Sequence, residues 1–325
     1  MDKLISSFTS QLAEAMKIGR AAELTPQHHD IRNVVVAGLG GSGIGGNLVE
    51  ELTRGKMKVP MTICKDYHLP EFVNEHTLLI VSSYSGNTEE TLHALQEGMN
   101  RMAKIVCITS GGSLERIARK AGLDVILIPG GMPPRAMLAY SFVQQLYVLF
   151  HYRYIDLGFE VGIDGAITLI DREVKKIQKQ AKSIAKKLNK KIPVIYANAS
   201  QEAVAIRWRQ QLNENSKTLA WHHVIPEMNH NELVGWRTKG KWGVVMLRNE
   251  TDYERNVARF NIAKGIIQPY TKTIIEVMSK GDNEIERSLY LIHLGDWVSV
   301  YLAELRQVDP VEVKVIDHLK AELAN

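Results

Sequence analysis

The sequence predicts an α/β protein built as two sandwich domains with mainly parallel sheets, followed by a C-terminal helix. Short apolar, β-branched runs recur at 34–37, 59–64, 77–81, 104–109 and 124–128, and again at 192–197, 242–248 and 273–278. Helical patterns separate most of them, and that rhythm implies parallel pairing, because each parallel crossover needs an intervening helix. A chain of 325 residues with 45% apolar side chains can also bury two cores of ordinary size.

The chain opens on a helical pattern. The first run, VVVA at 34–37, ends in glycines, and a helix over 136–152 closes the first half. LGFEVGID at 157–164 reads as a linker, which sets expected domains at 1–153 and 154–325. Lys175, Lys176, Lys179, Lys182, Lys186, Lys187, Lys190 and Lys191 then share a helix whose apolar stripe is Ile170, Val174, Ile177, Ile184 and Leu188. That pattern describes a solvated helix face rather than a polyanion site. Asp309-Pro310 resembles an N-cap with a first-turn proline, and Val313, Ile316, Leu319 and Leu323 follow at helical spacing, so a helix is expected from Asp309 to Leu323.

A net charge of +4 is too small to imply nucleic acid, yet it suits a protein whose ligands are small anions. Cys64 and Cys107 each sit in an apolar run, which suggests reduced structural thiols and excludes a disulfide framework. The opening segment, MDKLISSFTSQLAEAMKIG, carries acids and a helical period without a continuous apolar stretch. The expectation is a cytoplasmic protein with no membrane association.

Residues 38–46, GLGGSGIGG, lie between a strand and a helix, and Gly41, Gly43 and Gly46 fit the dinucleotide-binding spacing, with Asp66 roughly where a ribose-binding acid would fall. A nicotinamide dehydrogenase is therefore one reading. Any such loop lets backbone approach an anion at the free amides of a helix start. The next strand end separates the readings. Ser82 to Thr88 place a dense set of hydroxyls just before a helix beginning Glu89-Glu90. Ser83, Ser85 and Thr88 with backbone amides can bind the three oxygens of a terminal phosphate, a second cup that a pyrophosphate would not require. An ordinary helix cap with spare serines is the plainer alternative.

Six blocks in order extend this pattern: GLGGSGIGG at 38–46, SSYSGNTEET at 82–91, GGMPPRAML at 130–138, NENSK at 213–217, PEMNHNE at 226–232 and DPVEVKVIDHLK at 309–320. With them the chain resembles the sugar isomerase (SIS) fold family, and within it the bifunctional phosphoglucose/phosphomannose isomerases, which are tandem SIS domains. The resemblance implies metal-free, cofactor-free interconversion of glucose 6-phosphate, and of mannose 6-phosphate, with fructose 6-phosphate. It implies that Gly41, Ser42, Ser83, Ser85 and Thr88 hold the phosphate, while Arg135, Glu214, His230 and Lys320 surround the reacting carbons. It also implies a homodimer with His230 near the subunit interface.

The residues themselves suit those tasks. A water-shielded carboxylate such as Glu214 can carry a proton between adjacent carbons. His230, in a loop with Asn229, Asn231 and Glu232, can exchange a proton with a ring oxygen near neutral pH, and His222 and His223 are its rivals. Arg135 follows the stiff lead Met132-Pro133-Pro134 and stays cationic, fit to stabilise an enediolate. Lys320, after Leu319, would assist ring opening or hold a hydroxyl. Read without the resemblance, Glu214 and Lys320 equally fit solvated surface positions. The pairs His28-His29 and His222-His223 lack an HExxH or carboxylate pattern, so the sequence signals no metal. A non-catalytic sugar-phosphate-binding regulator is the remaining alternative.

Overall fold

The computed structural model describes residues 1–323 of the chain. They divide into an N-terminal unit, Ser7–Thr168, and a C-terminal unit made of Met1–Ser6 and the chain from Leu169 onward. The short opening helix α1 (Asp2–Ser6) belongs to the latter, against its long α10 described below. None of the described helices is long and apolar enough to cross a membrane.

In the N-terminal unit, α2 (Phe8–Ala21) leads to β1 (Asn33–Ala37), α3 (Gly40–Thr53), β2 (Met61–Cys64), β3 (Thr77–Ser83), α4 (Glu89–Asn100), β4 (Lys104–Thr109), α5 (Gly112–Lys120), β5 (Asp124–Leu127) and α6 (Leu138–His151). The sheet is wholly parallel in the order β2-β1-β3-β4-β5. Val34 to Val36 and Leu78 to Val81 are fully buried, as unbroken apolar strands covered on both faces require. Cys64 and Cys107 are buried free thiols on β2 and β4. Helix α7 (Gly158–Leu188) starts in this unit, so the segment expected as a linker is helical. Asp156 accepts the Gly158 amide at 2.8 Å, and Phe159, Ile163 and Ala166 are buried at helical spacing, which overrides the two glycines of LGFEVGID. Lys190 and Lys191 fall past its end, Lys190 in the left-handed region at φ +60°.

The C-terminal unit continues with β6 (Ile192–Asn198), α8 (Glu202–Glu214), β7 (Trp221–Ile225), β8 (Trp242–Arg248), α9 (Glu254–Ile267), β9 (Ile274–Met278), α10 (Glu284–Arg306) and α11 (Lys314–Leu323), its parallel sheet running β7-β6-β8-β9. Strand β7, WHHVI, escapes the sequence reading because His222 and His223 interrupt its apolar run, and an edge strand tolerates them. The last helix begins at Lys314 rather than Asp309. The Asp309 carboxylate accepts the Val311 amide at 2.8 Å, closing a turn instead of capping a helix. Helices α8 and α10 pack closely: Trp208 donates to the Leu291 carbonyl at 2.8 Å, and a Cβ on Gly295 would come within 2.4 Å of the Trp208 indole nitrogen. Beside it the buried Arg207 and Asp296 form a bidentate pair at 3.1 and 2.9 Å.

Candidate active site

In the N-terminal sheet β1 and β3 are neighbours, but β1 connects onward to β2 on one side and β3 to β4 on the other. Such a switch point leaves a crevice outside the carboxyl ends of the two strands, where open α/β sheets bind ligands. Both motifs picked out by the sequence lie there: the glycine loop follows β1 and the serine-rich loop follows β3.

The two loops approach at van der Waals distance. A Cβ on Gly38 would lie 2.8 Å from the Ser82 carbonyl and 3.3 Å from the Ser42 Cβ. A Cβ on Gly41 would meet the Pro134 carbonyl at 3.0 Å, so the 3-10 turn Pro134–Ala136 sits directly over the start of α3. That turn carries Arg135, whose Cα a Cβ on Gly41 would meet at 3.7 Å; Arg135, Ser42 and Ser83 are all buried. Gly41, Ser42 and Arg135 thus occupy one small region.

The cup is built by hydrogen bonds among its own hydroxyls and backbone. Ser83 Oγ and Thr88 Oγ1 are 3.0 Å apart, and the exposed Ser85 accepts the Asn87 amide at 3.3 Å. Gly86 is required: its φ is +66°, and a Cβ there would fall 1.8 Å from the Gly111 carbonyl. The Tyr84 carbonyl accepts the Ser110 amide at 3.0 Å and hydroxyl at 2.6 Å, while its phenol oxygen accepts the Met132 amide at 3.1 Å. Burial raises the Tyr84 phenol pKa, so it stays neutral. Tyr84 and Ser110 therefore tie the cup to the segment that leads into Arg135, a role the sequence reading did not assign.

The remaining glycines have packing duties. Gly46 lets α3 rest on β1 and β2, since a Cβ there would be 3.0 Å from Val36 and 3.1 Å from Ile63, and Gly43 abuts the Gly38 carbonyl. Asp66 is exposed and accepts the Tyr67 amide at 2.7 Å. The glycine spacing that suggested a dinucleotide is accounted for by helix packing.

In the C-terminal unit the corresponding switch point, at the ends of β6 and β8, is filled by its own side chains. Asn198 bonds Asp252, Gln201 donates to Asn249 at 3.1 Å, and Arg248 reaches Asp252 at 3.3 Å. Its chemistry-bearing groups lie elsewhere. Glu214 is the last residue of α8 and is half-buried. The buried residues that follow anchor it: Asn215 donates to the Ser299 hydroxyl at 2.9 Å and Ser216 to the Ser299 carbonyl at 2.6 Å. Lys217 donates to the carbonyls of Glu214 and Glu312, both at 2.6 Å, and so brings the segment before α11 beside Glu214.

His230 is exposed at the end of a 3-10 turn, Glu227–His230, held down by the fully buried Met228. Helix α8 returns antiparallel to the strands, so Glu214 sits at the edge where β7 begins and His230 beyond the edge where it ends. At the rise of an extended strand, the five residues of β7 hold its two ends about 13 Å apart. The fold of this unit therefore does not bring Glu214 and His230 together. Of the rivals, His222 lies 3.6 Å from Glu202, and His223 accepts the Val224 amide at 2.8 Å within β7. Lys320 is exposed on α11, a helix with no buried residue.

Two parallel α/β units, the first with its glycine and serine loops meeting at the switch point, define the SIS class of folds. The C-terminal domain of the glucosamine-fructose-6-phosphate aminotransferase of Francisella tularensis has the same fold, with a TM-score of 0.77 at 13% identity over 96% of this chain and 97% of that one. The family model for the bacterial phospho-glucose isomerase C-terminal SIS domain matches residues 177–323. The bifunctional phosphoglucose/phosphomannose isomerase of Caldicellulosiruptor bescii is 41% identical over 100% of this chain and 99% of its own length, and that of Aquifex aeolicus 36% identical over 93% and 92%. The chain belongs to the bifunctional phosphoglucose/phosphomannose isomerase family.

Proposed function

We propose that this chain interconverts glucose 6-phosphate and mannose 6-phosphate with fructose 6-phosphate by proton transfer between C1 and C2. The observation that carries this reading is the convergence of Gly41, Ser42, the Ser83–Thr88 cup and buried Arg135 at the β1/β3 switch point of a chain in this family. The cup takes the phosphate through hydroxyls and amides at the start of α4, whose dipole favours the dianion.

Glu214 removes the C2 proton of the opened sugar and returns it to C1, one base serving two adjacent carbons. Arg135 balances the negative charge of the enediolate; losing one preorganised group of this kind typically costs about 3 kcal/mol of barrier. Because a planar enediolate has no C2 configuration, rotation of the sugar fragment lets both epimers share Glu214. His230 opens the ring by exchanging a proton with its oxygen, and Lys320 assists or holds a hydroxyl. Since His230 and Glu214 lie at opposite ends of β7, the histidine that serves each Glu214 comes from a second copy of the chain, making the active species a homodimer. Two buried free thiols suit a cytoplasmic setting.

The test is to incubate purified protein with fructose 6-phosphate, without added metal, and follow aldose 6-phosphates by NMR. Both aldoses are expected, with solvent deuterium entering at C1 or C2. Unchanged fructose 6-phosphate overturns the reading.

A further inference from the structure

We infer that His68, His93 and Glu97 form a surface site for a divalent transition ion of the zinc class, separate from the sugar-phosphate chemistry. The segment 65–76 joins β2 to β3 without a helix, and α4 packs beside it; His68 comes from the first and the i, i+4 pair His93 and Glu97 from the second. One ligand atom from each residue lies within 4.8 Å of the others. A tetrahedral zinc holding nitrogen and oxygen at roughly 2.0–2.1 Å spaces them about 3.3 Å apart. Small rotations of exposed rings bridge that difference.

Two features raise this above a chance meeting of polar groups. The Tyr67 carbonyl sits 2.8 Å from His93 Nδ1, which fixes that nitrogen as the donor and leaves the lone pair on Nε2, the way a neighbouring carbonyl orients metal-binding imidazoles. Glu97 is likewise held: its Oε2 accepts the Leu69 amide at 2.8 Å and an Arg101 N–H at 3.4 Å, while Oε1 meets His68 Nδ1 at 2.8 Å. The His68 and His93 side chains are 76% and 44% exposed, leaving room for water to complete the coordination. Two imidazoles and one carboxylate suit zinc, cobalt or nickel, whereas magnesium and calcium prefer oxygen. The bound ion clamps the 65–76 segment onto the middle of α4.

The test is calorimetric titration of the EDTA-treated, dialysed chain with Zn²⁺, alongside His93→Gln and His68→Gln, with circular dichroism confirming the fold of each variant. Side-chain ¹⁵N spectra taken during a Co²⁺ titration identify the imidazoles involved. One Zn²⁺ per chain is expected, weakened about 100-fold or more in either variant, with the His68 and His93 resonances perturbed by Co²⁺ and no competition from Mg²⁺. No Zn²⁺ binding, an affinity that changes less than tenfold in the variants, or a Co²⁺ response confined to other histidines overturns the site. None of these measurements uses sugar-phosphate turnover, so the inference stands or falls independently of the proposed reaction.

Discussion

Glu214 and His230 belong to one unit but lie at opposite ends of β7, the first where the strand begins and the second beyond where it ends. If one chain's Glu214 works with another chain's His230, Glu214→Gln and His230→Gln will each be inactive alone yet complement when mixed. In a heterodimer one of the two shared sites is wild type in both positions. Random re-pairing then gives about a quarter of wild-type activity. Mixing through denaturation and refolding, with turnover assayed before and after, checks this; no recovery means each chain supplies its own complete site.

Glu214 is held by buried neighbours rather than by its own side chain alone, since Asn215 and Ser216 are bonded to Ser299. Glu214→Gln should preserve that anchoring and substrate binding while lowering kcat about a thousandfold. Steady-state kinetics with fructose 6-phosphate decide it, and near-normal turnover eliminates Glu214 as the base.

The cup offers a contrasting signature. Ser85 is exposed, so Ser85→Ala should leave the fold intact and raise KM more than it lowers kcat, because phosphate is held alike before and during reaction. A loss confined to kcat would contradict an anchoring role.

Chelation separates the two chemistries. EDTA should leave fructose 6-phosphate turnover unchanged, because the proposed proton transfer uses only side chains. Turnover abolished by EDTA and restored by zinc overturns that mechanism.

Buried His293 on α10 should make stability acid-sensitive. Burial lowers its pKa from the ordinary 6.5 to about 4, and Trp297 donates to its Nε2 at 3.1 Å, a bond that requires the neutral ring. With a depressed folded value, its contribution is fully present above pH 6.5 and is lost as pH falls toward 4. The shift corresponds to about 3 kcal/mol. His293→Gln keeps an acceptor for Trp297 but cannot titrate. Denaturant unfolding between pH 7 and 4 should therefore show a shallower decline in the variant; parallel slopes refute the assignment.

Much of the architecture was legible because parallel strands buried on both faces must be apolar throughout: VVVA, TLLIV and KIVCIT announce themselves. The glycine loop and the serine-rich loop were equally visible, since close backbone approach demands particular residue types at particular places, whereas Glu214 of NENSK stood out only through the family resemblance. Where local chemistry had two outlets, tertiary contacts chose. His222-His223 could be loop or edge strand, LGFEVGID linker or helix, Asp309 helix cap or turn.

The sequence by itself determined the class of fold, the glycine and serine loops and the set of chemically competent side chains, because those depend on composition and spacing along the chain. Only the tertiary structure decided which of them meet. It set Gly41 against the turn carrying Arg135, gathered His68, His93 and Glu97 from distant segments, and separated Glu214 from His230 by the length of a strand. The reason is physical: neighbours in space are fixed by strand order and crossover direction, which no local pattern of residues encodes.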